Sequence, residues 1–247
     1  MAGIFISRGI TVAIPEGGLA IGIGSDGKPT ANLTLHVHYD VCPTWCDLAF
    51  RHLADARTAR DDRIDAWAGS DEDHKSRCLE REFEASMQAI MAAAIAFDAF
   101  YSVIQTYVRL PPLLAQQWRN KRTARYVQIV EVVRRAFHLK PKGTAILRQN
   151  LKEIYRFRDL AVHPSGKIQA PLRHPEMDVG VEWRFAHFRA QSAESIVNAA
   201  TGMLWDLASN GKPANNKIRE YMGTLRQRLA VLFPPTHPPT SSAPHQS

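Results

Sequence analysis

The stretch from about residue 71 to 109 constrains the fold most. Leu79, Phe83, Met87, Ile90, Ala94, Phe97, Tyr101, Ile104 and Val108 recur there at intervals of three or four. That spacing lines one side of an α-helix and defines a single buried stripe. Ser70 with Asp73 resembles an N-terminal cap, and Pro111 and Pro112 end the run. Its most apolar part, MQAIMAAAIAFDAFYSVI (87–104), is alanine-rich and carries Gln88 and Asp98. It reads as a core helix and not as a membrane span, so no membrane partner is expected. Asp98 is either on the exposed side of this helix or held by a cation from a neighbouring one. Arg158 is one candidate for that cation.

Further helical periods flank this one. A helix is expected over about 44–68, broken by AGSDED. Another is expected over about 121–139, burying Val127, Val130, Val133 and Phe137 and stopped by Lys140-Pro141-Lys142-Gly143. Thr144 can cap the next, 145–162, with Leu147, Leu151, Ile154 and Tyr155 inward. Pro164 ends it, because the residue before a proline is pushed out of the α region. Two more are expected at 190–208 and 214–232.

The first 43 residues read differently. IFISRGITVAI, LAIGIG and ANLTLHVHY are β-branched and alternate, separated by PEGG and SDGKP, which predicts a small antiparallel sheet. VGVEWRFAHF (179–188) alternates Val179, Val181, Trp183 and Phe185 and reads as a strand that joins that sheet. The tail from 233 to 247 is rich in Pro and Ser and reads as disordered. The fold class expected is therefore α+β, mainly α: an N-terminal β region (1–43) packed on a helical bundle (44–232).

Composition narrows the chemistry. The 247 residues suffice for one large domain or two small ones. The formal charge is +7, carried by 22 Arg and 9 Lys. Guanidinium binds phosphate in a planar, bidentate fork, so an arginine excess favours a polyanion such as RNA or DNA. Three cysteines, Cys42, Cys46 and Cys78, argue against a disulfide scaffold and fit a reducing, cytoplasmic setting. The first residues alternate like a strand and lack a basic segment followed by a continuous apolar one, so no signal peptide is expected.

Several motifs dissolve on inspection. GGLAIGIG (17–24) has no helix behind it to complete a phosphate cradle and reads as a hairpin. His36 and His38 share a strand face, but with Cys42 and Cys46 they match no zinc spacing. No metal and no cofactor are expected. WRNKRTAR (118–125) sets Arg119, Lys121, Arg122 and Arg125 beside Trp118. Cations at a helix start oppose its dipole. They form either a solvated loop or an RNA contact, with Trp118 stacking on a base.

The segment YRFRDLAVHPSGK (155–167) carries the chemistry. Arg158, Asp159 and His163 gather where Pro164 breaks a helix. On a continuous helix, residues five apart diverge by about 140°. Unwinding before the proline would let His163 swing back towards Arg158, with Asp159 orienting either side chain. Arg158-Asp159-Leu160-Ala161-Val162-His163 resembles the Arg-polar-x-x-x-His motif of HEPN-domain proteins, which are helical bundles. The likeness extends over about 71–209 by helix order, and only the hexad is specific. Many members are metal-independent ribonucleases of toxin–antitoxin and phage-defence systems. Others have lost catalysis and bind RNA or a protein. The resemblance thus implies an endoribonuclease with Arg158 and His163 as catalytic residues. It also implies RNA as substrate, a homodimer with two motifs facing each other, and a protein antitoxin as partner. The N-terminal sheet and the strand at 179–188 depart from a minimal bundle.

Overall fold

The computed structural model describes residues 5–6, 9–163 and 166–233. The protein is α+β and mainly α, a helical bundle with a few short antiparallel strand pairs. It divides into two compact units, 1–41 and 42–247.

In the smaller unit, β1 (Ile10–Ala13) pairs antiparallel with β4 (His36–Tyr39), and β2 (Leu19–Ile23) with β3 (Pro29–Leu33). GGLAIGIG is thus the outgoing arm of a hairpin. Gly27 takes φ +75° in its turn, where a side chain would be strained. His36 and His38 lie on β4 with both side chains exposed.

The larger unit is built around α2 (Glu72–Tyr107), which packs against α1 (Cys42–Trp67) along their length. Ile90, Ala94, Phe97, Tyr101 and Ile104 are buried, as the stripe requires, while Leu79, Phe83, Met87 and Val108 lie at its margin. By length and composition α2 could cross a membrane, but most of its apolar window is buried inside the protein. α4 (Arg125–Phe137) and α5 (Pro141–Val162) pack on one another and on α2, and α7 (Ala190–Asn210) and α8 (Asn216–Leu229) complete the core.

Four local expectations are corrected. The cap of α2 is Asp71, not Ser70: its carboxylate accepts the His74 N–H at 3.0 Å. The helix expected from 121 begins at Arg125, because a separate α3 (Pro112–Asn120) precedes it and Arg122 takes a left-handed φ of +47° between them. α5 starts at Pro141 and not after Thr144. Proline there has no N–H to lose and its φ is already helical, while the Thr144 hydroxyl donates back to the Lys140 carbonyl. Finally, 179–188 is not one strand. Only β6 (Gly180–Val181) is extended, and it pairs with β5 (Leu172–Arg173), not with the N-terminal strands. α6 (Trp183–His187) follows, capped by Glu182 accepting the Arg184 N–H at 2.8 Å. The tail from 234 lies outside the described residues, as does Pro164.

Candidate functional site

α5 carries the hexad at its C-terminal end. Leu147, Leu151, Ile154, Tyr155 and Phe157 are buried and fix the helix in the core. Arg158 follows with 32% of its side chain exposed. Its guanidinium lies 5.4 Å from the centre of the Tyr155 ring, one turn back, and 3.6 Å from the Asp159 carboxylate. His163 is the first non-helical residue (φ −121°, ψ 63°) and is exposed. Its backbone N–H donates to the Asp159 carbonyl at 2.8 Å and closes the helix. Asp159 therefore joins the constellation from both sides, to Arg158 by side chain and to His163 by backbone. No hydrogen bond or ring contact links the Arg158 and His163 side chains among the described residues.

A second layer lies behind Arg158. Asp98, on α2, is paired with Arg125 at 2.7 Å, so the cation holding it is Arg125 and not Arg158. Geometry decides this. Arg125 opens α4 beside α2, and its guanidinium sits 4.1 Å from the centre of the Tyr101 ring. The Tyr155 hydroxyl is buried beside the Asp98 carboxylate. Burial holds its pKa well above the usual tyrosine range, and the Asp98 carboxylate beside it adds to the shift. Arg125 and Arg158 both act on this phenol in the opposite sense.

The basic segment divides in two. Trp118, on α3, is half-buried against the core. Arg119, Lys121 and Arg122 are exposed and make no ion pair among the described residues, whereas Arg125 is engaged by Asp98. The structure thus brings Arg158, Asp159 and His163 to one helix end and leaves a three-cation surface around 119–122.

One cluster escaped the sequence reading. Arg63 on α1 is 1% exposed and is bonded to Glu82 on α2 and Glu176 in the turn between β5 and β6. Arg60 joins Glu176 at 3.0 Å, and Glu82 also accepts the first N–H of α7, from Ala190, at 3.0 Å. His174 is buried beside them. Its Nδ1 accepts the Glu176 N–H at 3.2 Å, and its Nε2 has no hydrogen-bond partner among the described residues. The signal was present. Arg63 falls in the α1 register Cys46, Ala49, Leu53, Ala56, Ala59 and Ala66, and Glu82 falls between Cys78 and Ser86 on α2. A charge at a stripe position demands a buried partner.

Burial, then the nearby Arg63 and Arg189, push the His174 pKa down from 6.5 to about 4. Below pH 6.5 the unfolded chain takes up a proton that folded His174 refuses until about pH 4. Stability should therefore fall as pH drops through that window and be level above it. Urea unfolding at pH 7, 5.5 and 4.5 checks this, with His174→Gln expected to flatten the slope.

No protein-family model, curated protein or solved structure matches this chain. Among the described residues no three His, Cys, Asp or Glu converge as metal ligands. Fold and site define a mainly helical α+β protein whose fifth helix ends in a solvent-accessible Arg-Asp-His group, with Arg158 half-buried.

Proposed function

We propose that the chain is a cytoplasmic, metal-independent endoribonuclease of HEPN type, acting as a toxin or phage-defence effector held in check by a protein partner. One observation carries the reading. The RDLAVH hexad ends a core helix with Arg158 partly exposed, His163 exposed and Asp159 joined to both. His163 takes the proton of a ribose 2′-hydroxyl. The freed oxygen attacks phosphorus, the bond to the 5′-oxygen breaks, and that oxygen takes a proton from water as it leaves, while His163 later returns its proton to solvent. Arg158 neutralises the charge that develops on the phosphate oxygens, and Asp159 steadies its guanidinium. Arg119, Lys121 and Arg122 hold the flanking backbone, with Trp118 offering part of its ring to a base. Two such groups across a two-fold axis would double the positive charge around one phosphate.

The alternative is a catalytically silent module of the same type that binds RNA or a protein. It is favoured by the absence of a hydrogen bond between the Arg158 and His163 side chains among the described residues. Incubation with single-stranded RNA in EDTA separates the two. Cleavage should persist and leave 2′,3′-cyclic phosphate ends, and DNA, lacking the 2′-hydroxyl, should stay intact. A requirement for added Mg²⁺, or equal cutting of DNA, would sink the mechanism.

A further inference from the structure

Within the smaller unit the chain runs out along β1 and β2, turns near Gly27, and returns along β3 and β4. It is one two-stranded ribbon, interrupted at 14–18, where the Thr34 N–H donates to the Gly18 carbonyl at 2.6 Å. No third strand flanks either ladder among the described residues. Of the 17 large apolar side chains exposed in the described residues, ten lie between Phe5 and Val41, so the surplus is concentrated in this unit. An isolated two-stranded ribbon is marginal in water and needs a cover.

The register shows what the cover must fit. Leu19 faces Leu33, Ile21 faces Ala31 and Ile23 faces Pro29, and this side of the ribbon carries no charge. The other side pairs Ala20 with Asn32 and Gly22 with Thr30. Leu19, Ile21, Ile23 and Leu33 are 56%, 76%, 78% and 51% exposed.

We propose that this apolar face docks on the same face of a second copy of this chain. Three observations favour a second copy. An uncharged face is self-complementary about a two-fold axis, since like residues meet without burying an unpaired charge. Residues 1–41 hold two cations and three anions, a net −1, so the remainder of the +7 chain carries +8. The net charge that opposes association of two chains is therefore carried almost wholly outside this unit. The charged residues at its turn, Asp26 and Lys28, are paired with each other at 3.8 Å and offer little to a charged partner. The six side chains present about 600 Å² per copy, or about 1,200 Å² for the pair, which reaches the lower end of stable interfaces.

The inference stands on these residues and not on the nuclease reading, so a mass measurement and an RNA assay fail separately. Sedimentation of the full chain at micromolar concentration should give about 55 kDa, twice the 27.7 kDa of one chain. Ile21→Asp with Ile23→Asp should halve that mass while the far-ultraviolet helical signal stays, because the helices lie in the other unit. Thr30→Asp, on the opposite side, should leave the mass at the dimer value. Ile21→Cys should cross-link two chains on oxidation, since Cys42, Cys46 and Cys78 are all buried and give no background. A monomeric wild type would overturn the proposal, even one that captures some other protein on this face. A dimer that survives the double aspartate would also overturn it.

Discussion

Alanine at His163 should lower RNA cleavage by about 10²- to 10⁴-fold, the usual contribution of a positioned acid–base group. Alanine at Arg158 should cost about 10²- to 10³-fold, as removing one donor from a developing oxyanion does. Neither change should unfold the protein. His163 is exposed beyond the last helical residue, and Arg158 lies outside the buried stripe of α5. Melting temperatures should therefore stay close to wild type. Arg158→Lys separates charge from geometry. A lysine restores the point charge but not the fork that grips two phosphate oxygens, so most activity should remain lost. Rates and RNA affinity need to be measured together. If His163→Ala still binds RNA and cleaves as fast as wild type, imidazole plays no part and the nuclease reading falls. If wild type binds RNA tightly and none of the proteins cleaves, the silent-module reading takes its place.

Hydrophobic period carried most of the fold. α2 was legible because nine apolar positions keep one phase over eight turns, and no strand can do that. α7 and α8 were legible for the same reason over shorter spans. Failures came where two patterns overlap. Val179, Val181, Trp183 and Phe185 alternate as a strand would, yet Trp183 and His187 are also one helical turn apart, with rings 6.0 Å from each other. Ten residues are too few for period to arbitrate, and the Glu182 cap tips the segment to helix. Proline misled twice, at Pro112 and Pro141, because it ends one helix and opens the next with equal ease. At the candidate site, the position of the hexad at a helix end was legible, since its members are near in sequence and a proline follows them. The Asp98–Arg125 pair was half legible. The need for a cation followed from the apolar surroundings of Asp98, but which arginine supplies it depends on how α4 crosses α2. Sequence spacing does not encode that crossing. Arg63, Glu82 and Glu176 come from three separate segments, and only their stripe positions hinted at burial.

Arg63→Ala should be the most destabilising single change outside the apolar core. Arg63 and Glu82 are 1% and 2% exposed at their side chains, and Glu176 is 14% exposed. Taking such charges out of water is costly, and their pairing only offsets that cost. Removing the cation leaves the Glu82 carboxylate buried with the Ala190 N–H as its remaining partner and opens a void where the guanidinium was. Breaking a buried pair this way typically costs about 3–5 kcal/mol. For a chain of this size that corresponds to a drop of roughly 6–20 °C in Tm. The local consequence should be as clear as the global one. Glu176 would keep only Arg60, which is 31% exposed, so the β5–β6 hairpin should lose amide protection before the helices do. A purely apolar replacement gives the contrast. Arg63→Met with Glu82→Leu and Glu176→Met removes charge and partner together, and stability should then return to near the wild-type value or exceed it. If Arg63→Ala melts within a degree or two of wild type, the network is solvated and Arg63 is not a buried charge. If the triple apolar variant is as unstable as the single one, the loss comes from packing volume and not from unpaired charge.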